Sequence, residues 1–191
     1  MTDEARDQMD AADETVPRRR NWAAYSAVIA TLVGLLALVV SAYTAMLQQQ
    51  QVRAQVWPRL QLMSSGSLQE VLVMNKGVGP AVIESVRIHV DGVAQRDWKM
   101  LEKTLGVTPA EYVQSTVNGT VISGGERYVM ANFPERQVWE RIRPQLQRMH
   151  RRLCYCSTLE ECWVVETTLN GANKYESVNR CGRIEAEEFN D

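Results

Sequence analysis

Between Trp22 and Leu47 the chain runs 26 residues without a charge, and no other feature narrows what it can become as sharply. As an α-helix, at about 1.5 Å per residue, that run reaches roughly 39 Å, against a bilayer hydrocarbon core of about 30 Å. Trp22 and Tyr25 stand at one end and Tyr43 near the other, where amphipathic rings favour the headgroup level. Gln48, Gln49, Gln50 and Gln51 close the span. The pattern predicts a single transmembrane helix over residues 22–47. The competing reading is a cleaved signal peptide, with Arg18, Arg19 and Arg20 as its basic start and Val40-Ser41-Ala42 as its cleavage site. The apolar run exceeds the roughly 7–15 residues of such a segment, so an uncleaved anchor is the expectation. Arg6, Arg18, Arg19 and Arg20 precede the span and only Arg53 and Arg59 follow it closely. That asymmetry predicts a cytoplasmic N-terminus, with residues 48–191 on the far side of the membrane.

Small residues follow one line along the helix: Ala23, Ala27, Ala30, Gly34, Ala37, Ser41 and Thr44. A stripe of this spacing lets another helix approach closely. Self-association and a different membrane partner are equally compatible with it. Residues 1–21 read as a disordered acidic tail, with Asp3, Glu4, Asp7, Asp10, Asp13 and Glu14, ending in the basic stop. Residues 48–58 read as a stalk that continues the helix until Pro58 ends it.

The rest of the chain is composed like a soluble domain. Of 191 residues 45% are hydrophobic and 23% charged, which excludes a chain disordered throughout. The mean hydropathy of -0.27 excludes a polytopic membrane protein. A net charge of -2 leaves no basic field for nucleic acid. Over residues 59–191 short aliphatic and β-branched runs alternate with turn residues. Strands are expected around Leu60 and Leu62 and over 68–75, 82–90, 119–123, 127–132, 152–157 and 162–169. Asp91-Gly92, Gly124-Gly125 and Asn170-Gly171 read as tight turns between them. Thr108-Pro109-Ala110-Glu111 reads as a capping box opening a helix. Val138, Ile142, Leu146 and Met149 form an apolar stripe on a second helix over 135–149, which Pro144 should kink or split. The expected fold is mainly β: a sandwich with one or two inserted helices.

All four cysteines fall between Cys154 and Cys181, and an even count outside the cytoplasm implies disulfides. Cys156 and Cys162 flank five residues that read as a hairpin loop, which favours a cross-strand bond. Cys154 is then left for Cys181. A zinc site using His150, Cys154, Cys156 and Cys162 is the rival, although the paired C-x2-C spacing of common zinc sites is missing.

No P-loop, nucleophile elbow, H-E-x-x-H or dinucleotide-binding glycine pattern occurs, so no catalytic residue or cofactor is expected. His89 and His150 are the chain's two histidines and the natural centre of any enzymatic alternative. Arg136, Arg141, Arg143, Arg148, Arg151 and Arg152 form a basic cluster that offers a contact to anionic lipid headgroups or an acidic partner, diluted by Glu135 and Glu140.

The segment Asn75-Lys76-Gly77-Val78-Gly79-Pro80-Ala81, continuing to Asp91-Gly92, resembles an N-x-G-x-G-P-A signature of uncharacterised bacterial single-pass membrane proteins with an Ig-like extracytoplasmic β-domain. Tyr155-Cys156-Ser157 followed by Cys162-Trp163 is similar to the closing hairpin of the same proteins. The resemblance implies an Ig-like sandwich anchored in a bacterial inner (plasma) membrane, and no catalytic residues. The expected function is binding: an accessory or scaffold subunit of an envelope assembly, touching the bilayer and a protein partner or a second copy. The alternatives are a single-pass sensor signalling through its N-terminal tail, a membrane-tethered enzyme and a metal-binding domain.

Overall fold

The computed structural model describes residues 20–168 and 171–190. The acidic tail, Arg18, Arg19 and Asn170 therefore lie outside the described residues. The chain divides into two units, Met1–Gln50 and Gln51–Asp191. The described residues of the first are the start of helix α1 (Arg20–Gln55). Its stretch Trp22–Gln55 has a mean hydropathy of 2.3 in its most apolar window, long and apolar enough to cross a membrane. Ser26, Thr31, Ser41 and Thr44 each donate to a carbonyl three or four residues back, at 2.8–2.9 Å. Their hydroxyls are thus satisfied within the helix, as lipid would require.

The second unit is mainly β, as the strand pattern predicts. After α1 come β1 (Leu60–Ser65), β2 (Glu70–Asn75), β3 (Ala81–Val90), β4 (Val93–Gln95) and α2 (Trp98–Leu105). They are followed by β5 (Val113–Gln114), β6 (Val121–Ile122), β7 (Arg127–Asn132) and α3 (Arg136–Arg148). A meander of β8 (Met149–Cys156), β9 (Cys162–Thr167) and β10 (Asn173–Val178) completes the order. One antiparallel sheet runs β1-β2-β7-β5; the other runs β10-β9-β8-β3-β4, with β6 also on the edge of β3. Both contribute to one core: Leu60, Leu62, Val71 and Val73 from the first meet Ile83, Ile88, Leu153, Tyr155 and Val165 from the second.

Two readings of the sequence are corrected here. Only half of the capping box forms: Thr108 N–H donates to Glu111 Oε2 at 2.8 Å, but Glu111 N–H donates to the Thr108 carbonyl at 3.0 Å and not to its hydroxyl, so a single turn closes and no helix follows. The residues after Glu111 carry no apolar stripe to reward further winding. Gly124-Gly125 likewise joins no hairpin, because β6 pairs with β3 and β7 with β2 in the other sheet. Pro144 lies inside one helix of 13 residues and does not split it; Val138, Trp139 and Ile142 on the opposite side are buried and hold it down.

Along β3 the inward residues shift from Ala81 and Ile83 to Val86, Ile88 and Val90, because the β3–β8 register slips between Ile83 and Ser85. Past the bulge, Val86 turns its backbone groups to the edge of β3 away from β8, between β6 and β4. Glu188, 8% exposed, meets them there: its carboxylate accepts from Val86 N–H at 2.9 Å and from Ser85 Oγ at 3.1 Å. Phe189 N–H donates to Val86 O at 2.9 Å, and its ring is wholly buried. Residues 181–190 thus close the edge of β3 between β6 and β4.

Asn75 organises the β2–β3 loop. It is fully buried, and its Oδ1 accepts from Arg59 N–H and Gly77 N–H, each at 3.0 Å. Its Nδ2 donates to Gly79 O at 2.7 Å and Ile122 O at 3.0 Å. Glycine is required beside it: a Cβ on Gly77 would meet Trp57 O at 2.3 Å, and one on Gly79 would meet Val56 O at 2.1 Å. The N-x-G-x-G-P stretch is therefore a backbone clamp on residues 56–59.

Candidate functional site

The four cysteines meet in one place. Cys156 and Cys162 are register partners across the β8–β9 hairpin and are bonded, with Cα atoms 4.0 Å apart. Cys154 is bonded to Cys181, with Cα atoms 5.6 Å apart. Cys156 Sγ also lies 3.8 Å from Cys181 Sγ, so the two bridges touch. Paired in this way, the sulfurs present no thiolate to a cation. His150 instead has its Nε2 3.9 Å from Glu166.

The six arginines singled out by the sequence do not share a face. Helix α3 ends at Arg148, and beyond it β8 sends alternate side chains to opposite sides. Arg141 pairs with Glu111 at 2.5 Å, Arg143 with Glu140 at 3.6 Å, Arg148 with Asp91 and Arg152 with Glu166 at 3.9 Å. Arg136 is exposed at the start of α3. Arg151 turns inward and is 7% exposed. A continuous basic surface is thereby broken into four ion pairs, one exposed side chain at Arg136 and one buried charge.

That buried charge has no counter-ion among the described residues. Arg151 follows Met149 and precedes Leu153 and Tyr155 in the inward register of β8. Its Nη1 donates to Met63 O at 3.1 Å on β1, across the gap between the sheets. Its backbone N–H donates to Thr167 Oγ1 at 2.9 Å. Its Nε is buried without a partner, and among the described residues no carboxylate pairs with the guanidinium. Burial pulls its pKa down to about 10. The second buried arginine, Arg87, shows the ordinary solution: Glu187 and Glu188 stand 3.6 and 3.8 Å from its guanidinium, and Gly182 O accepts from it at 2.5 Å. An unpaired buried charge is costly unless something arrives to neutralise it.

Arg151 lines an open cleft of about 470 Å³. Trp139, Leu146 and Met149 supply apolar wall, Thr167 and Thr168 supply hydroxyls, and Arg143 stands at the rim. A few convergent polar groups on an apolar lining, at this volume, is the make-up of a small-ligand site. The cluster reading of the arginines passed over this arrangement. The signal was the alternation Met149-x-Arg151-x-Leu153-x-Tyr155, which places Arg151 inward once a strand begins at residue 149.

His89 and His150 sit opposite each other in the β3–β8 register, with ring centroids 6.4 Å apart. His89 Nε2 is 4.0 Å from Glu187, and its Nδ1 is buried without a partner. The stripe residues Ala23, Ala27, Ala30, Gly34, Ala37, Ser41 and Thr44 all lie on α1 with exposed side chains. No protein-family model matches this chain, and no curated protein or solved structure does either, which leaves the geometry of the cleft to carry the function.

Proposed function

We propose that this chain is a single-pass membrane protein whose β-domain binds a ligand or partner outside the cytoplasm, as an accessory subunit of an envelope assembly in the plasma membrane. The observation that carries binding is the cleft floored by Arg151, a buried cation with no counter-ion among the described residues. Two disulfides in the same domain favour an oxidising compartment, and the arginines before α1 favour export of the domain that follows. An Ig-like fold is supported by strand order. β1-β2-β7-β5 follows the A-B-E-D order of immunoglobulin domains, and β4-β3-β8-β9 follows C′-C-F-G, with β10 added at the edge.

The test joins sidedness to capture. In intact cells, residues 51–191 are expected to be reachable by a membrane-impermeant protease once the outer barrier is opened, with no free thiols before reduction and four after. A photo-crosslinker at Arg143, on the cleft rim, or at Gly34, on the helix stripe, should trap a partner. A protected domain with four free thiols, or a monomer that yields no crosslink at either surface, refutes the reading. A second reading, a tethered hydrolytic or proton-transfer enzyme, has the His89–His150 pair in its favour. Replacing both histidines with alanine separates the two: it abolishes the cellular phenotype of an enzyme and leaves that of a binding domain intact.

A further inference from the structure

The cleft itself says what class of molecule it takes. Its charge is small and localised, because Arg143 at the rim is paired with Glu140, and of the two cleft arginines Arg151 alone lacks a carboxylate partner among the described residues. One buried positive charge matches one negative charge. A phosphate monoester carries about −1.5 to −2 and would be left with an excess in a site with a single free cation. The guanidinium is a planar fork that suits a carboxylate, and here one N–H is spent on Met63 O while the others have no partner among the described residues. Trp139, Leu146 and Met149 beside it offer apolar surface, which a fully hydrophilic ion such as acetate would leave unused.

We propose that the cleft binds a small organic monocarboxylate, its carboxylate against the Arg151 guanidinium and its apolar body against Trp139, Leu146 and Met149. This rests on the reading of the β-domain as a binding module and adds the ligand's chemistry. Filling the cleft supplies the missing counter-charge, so the ligand stabilises the folded domain by mass action. It also makes Arg151 a residue retained at the expense of stability, since a buried ion without its partner is worse for the fold than an apolar side chain of similar length.

The full chain in nanodiscs of zwitterionic lipid would be titrated by calorimetry with benzoate and hexanoate, with benzamide and hexanamide as uncharged counterparts, and with inorganic phosphate. The acids are expected to bind at least tenfold more tightly than their amides and to raise the melting temperature. Arg151→Met should abolish the difference between acid and amide while melting at or above the wild-type temperature. Thr168→Glu, an exposed position at the cleft, sets a carboxylate beside the site without disturbing the core and should weaken benzoate binding at least threefold. Acids and amides that bind alike overturn the proposal, as does phosphate binding more tightly than either acid. An Arg151→Met chain that melts far below wild type, with acid binding untouched in Thr168→Glu, assigns Arg151 to the fold and also overturns it. None of these outcomes depends on sidedness or crosslinking, so the carboxylate can fail while the tethered binding domain stands.

Discussion

Replacing Asn75 with alanine removes the one side chain that joins the end of β2, the start of β1, the glycine loop and β6. Its four hydrogen bonds, to Arg59 N–H, Gly77 N–H, Gly79 O and Ile122 O, span 2.7–3.0 Å. Each is worth about 1 kcal/mol net, and more where the backbone partner is left dry. The expected loss for Asn75→Ala is therefore about 4 kcal/mol, with water entering the vacated space as the main relief. Against a total stability of roughly 5–15 kcal/mol, that is a large share. Urea denaturation of the full chain in detergent, followed by tryptophan fluorescence, should show a lower midpoint with an unchanged slope. Asn75→Asp keeps the shape and both accepted bonds but sets a carboxylate oxygen against the Gly79 and Ile122 carbonyls. Its folded pKa is then raised, so relative to wild type this variant is most stable below the unfolded aspartate pKa of about 3.9 and loses ground as pH rises through the folded value. A cost under about 1 kcal/mol for Asn75→Ala, or an Asn75→Asp chain as stable as wild type at neutral pH, refutes the account of the clamp.

Three further outcomes follow from the same packing. The Cys154–Cys181 bond spans 27 residues and Cys156–Cys162 spans 6, so loop-closure entropy assigns them about 3.5 and 2 kcal/mol respectively. Cys181→Ser should accordingly lower the urea midpoint more than Cys162→Ser, each measured with its partner also changed to serine. Phe189→Ala, at a fully buried ring, should cost about 3–5 kcal/mol and expose the C-terminal segment to limited proteolysis. Burial pushes the Tyr155 phenol from 10.0 up to about 12, and burial with a hydrogen bond donated to Glu102 raises Tyr112 further. Both favour the neutral phenol in the folded state, so their contribution is whole below pH 10.0 and is lost as pH rises through the folded values. Phenolate absorbance should show Tyr112 and Tyr155 titrating only as the protein unfolds.

The long features were legible in the sequence and the short ones were not. The uncharged run, the strands around Leu62 and over 68–75 and 82–90, and the Asp91-Gly92 turn declare themselves through periodicity and turn chemistry. Val90 and Val93 pair across that turn, with φ of 52° and 80° at its two residues. Strands β4 and β5 are three and two residues long, too short to show alternation, and β10 is a largely exposed edge strand of mixed polarity. Helix α2 was readable but passed over: Asp97 caps it by accepting from Met100 N–H at 2.7 Å, Leu101 and Leu105 face the core, and Gly106 ends it at φ 65°. The arginine cluster misled because charge alone was counted, whereas the strand that begins at residue 149 turns Arg151 inward and Arg152 outward. The cleft was invisible for a different reason, since Met63, Trp139 and Arg151 are brought together only by the packing of two sheets and α3.

The strap that seals β3 also sets a timetable for synthesis. A chain made from its N-terminus forward can pair β1 with β2 and β8 with β9 as these hairpins emerge, and the Cys156–Cys162 bridge needs only its own hairpin. The edge of β3 at Val86 stays open until Glu188 is made, and the core keeps a hole the size of Phe189 until the next residue. Cys154 must meanwhile wait unpaired, two positions from an oxidised neighbour, until Cys181 arrives. The domain therefore closes in a single late step, and until then its half-built core is a substrate for chaperones, proteases and disulfide exchange.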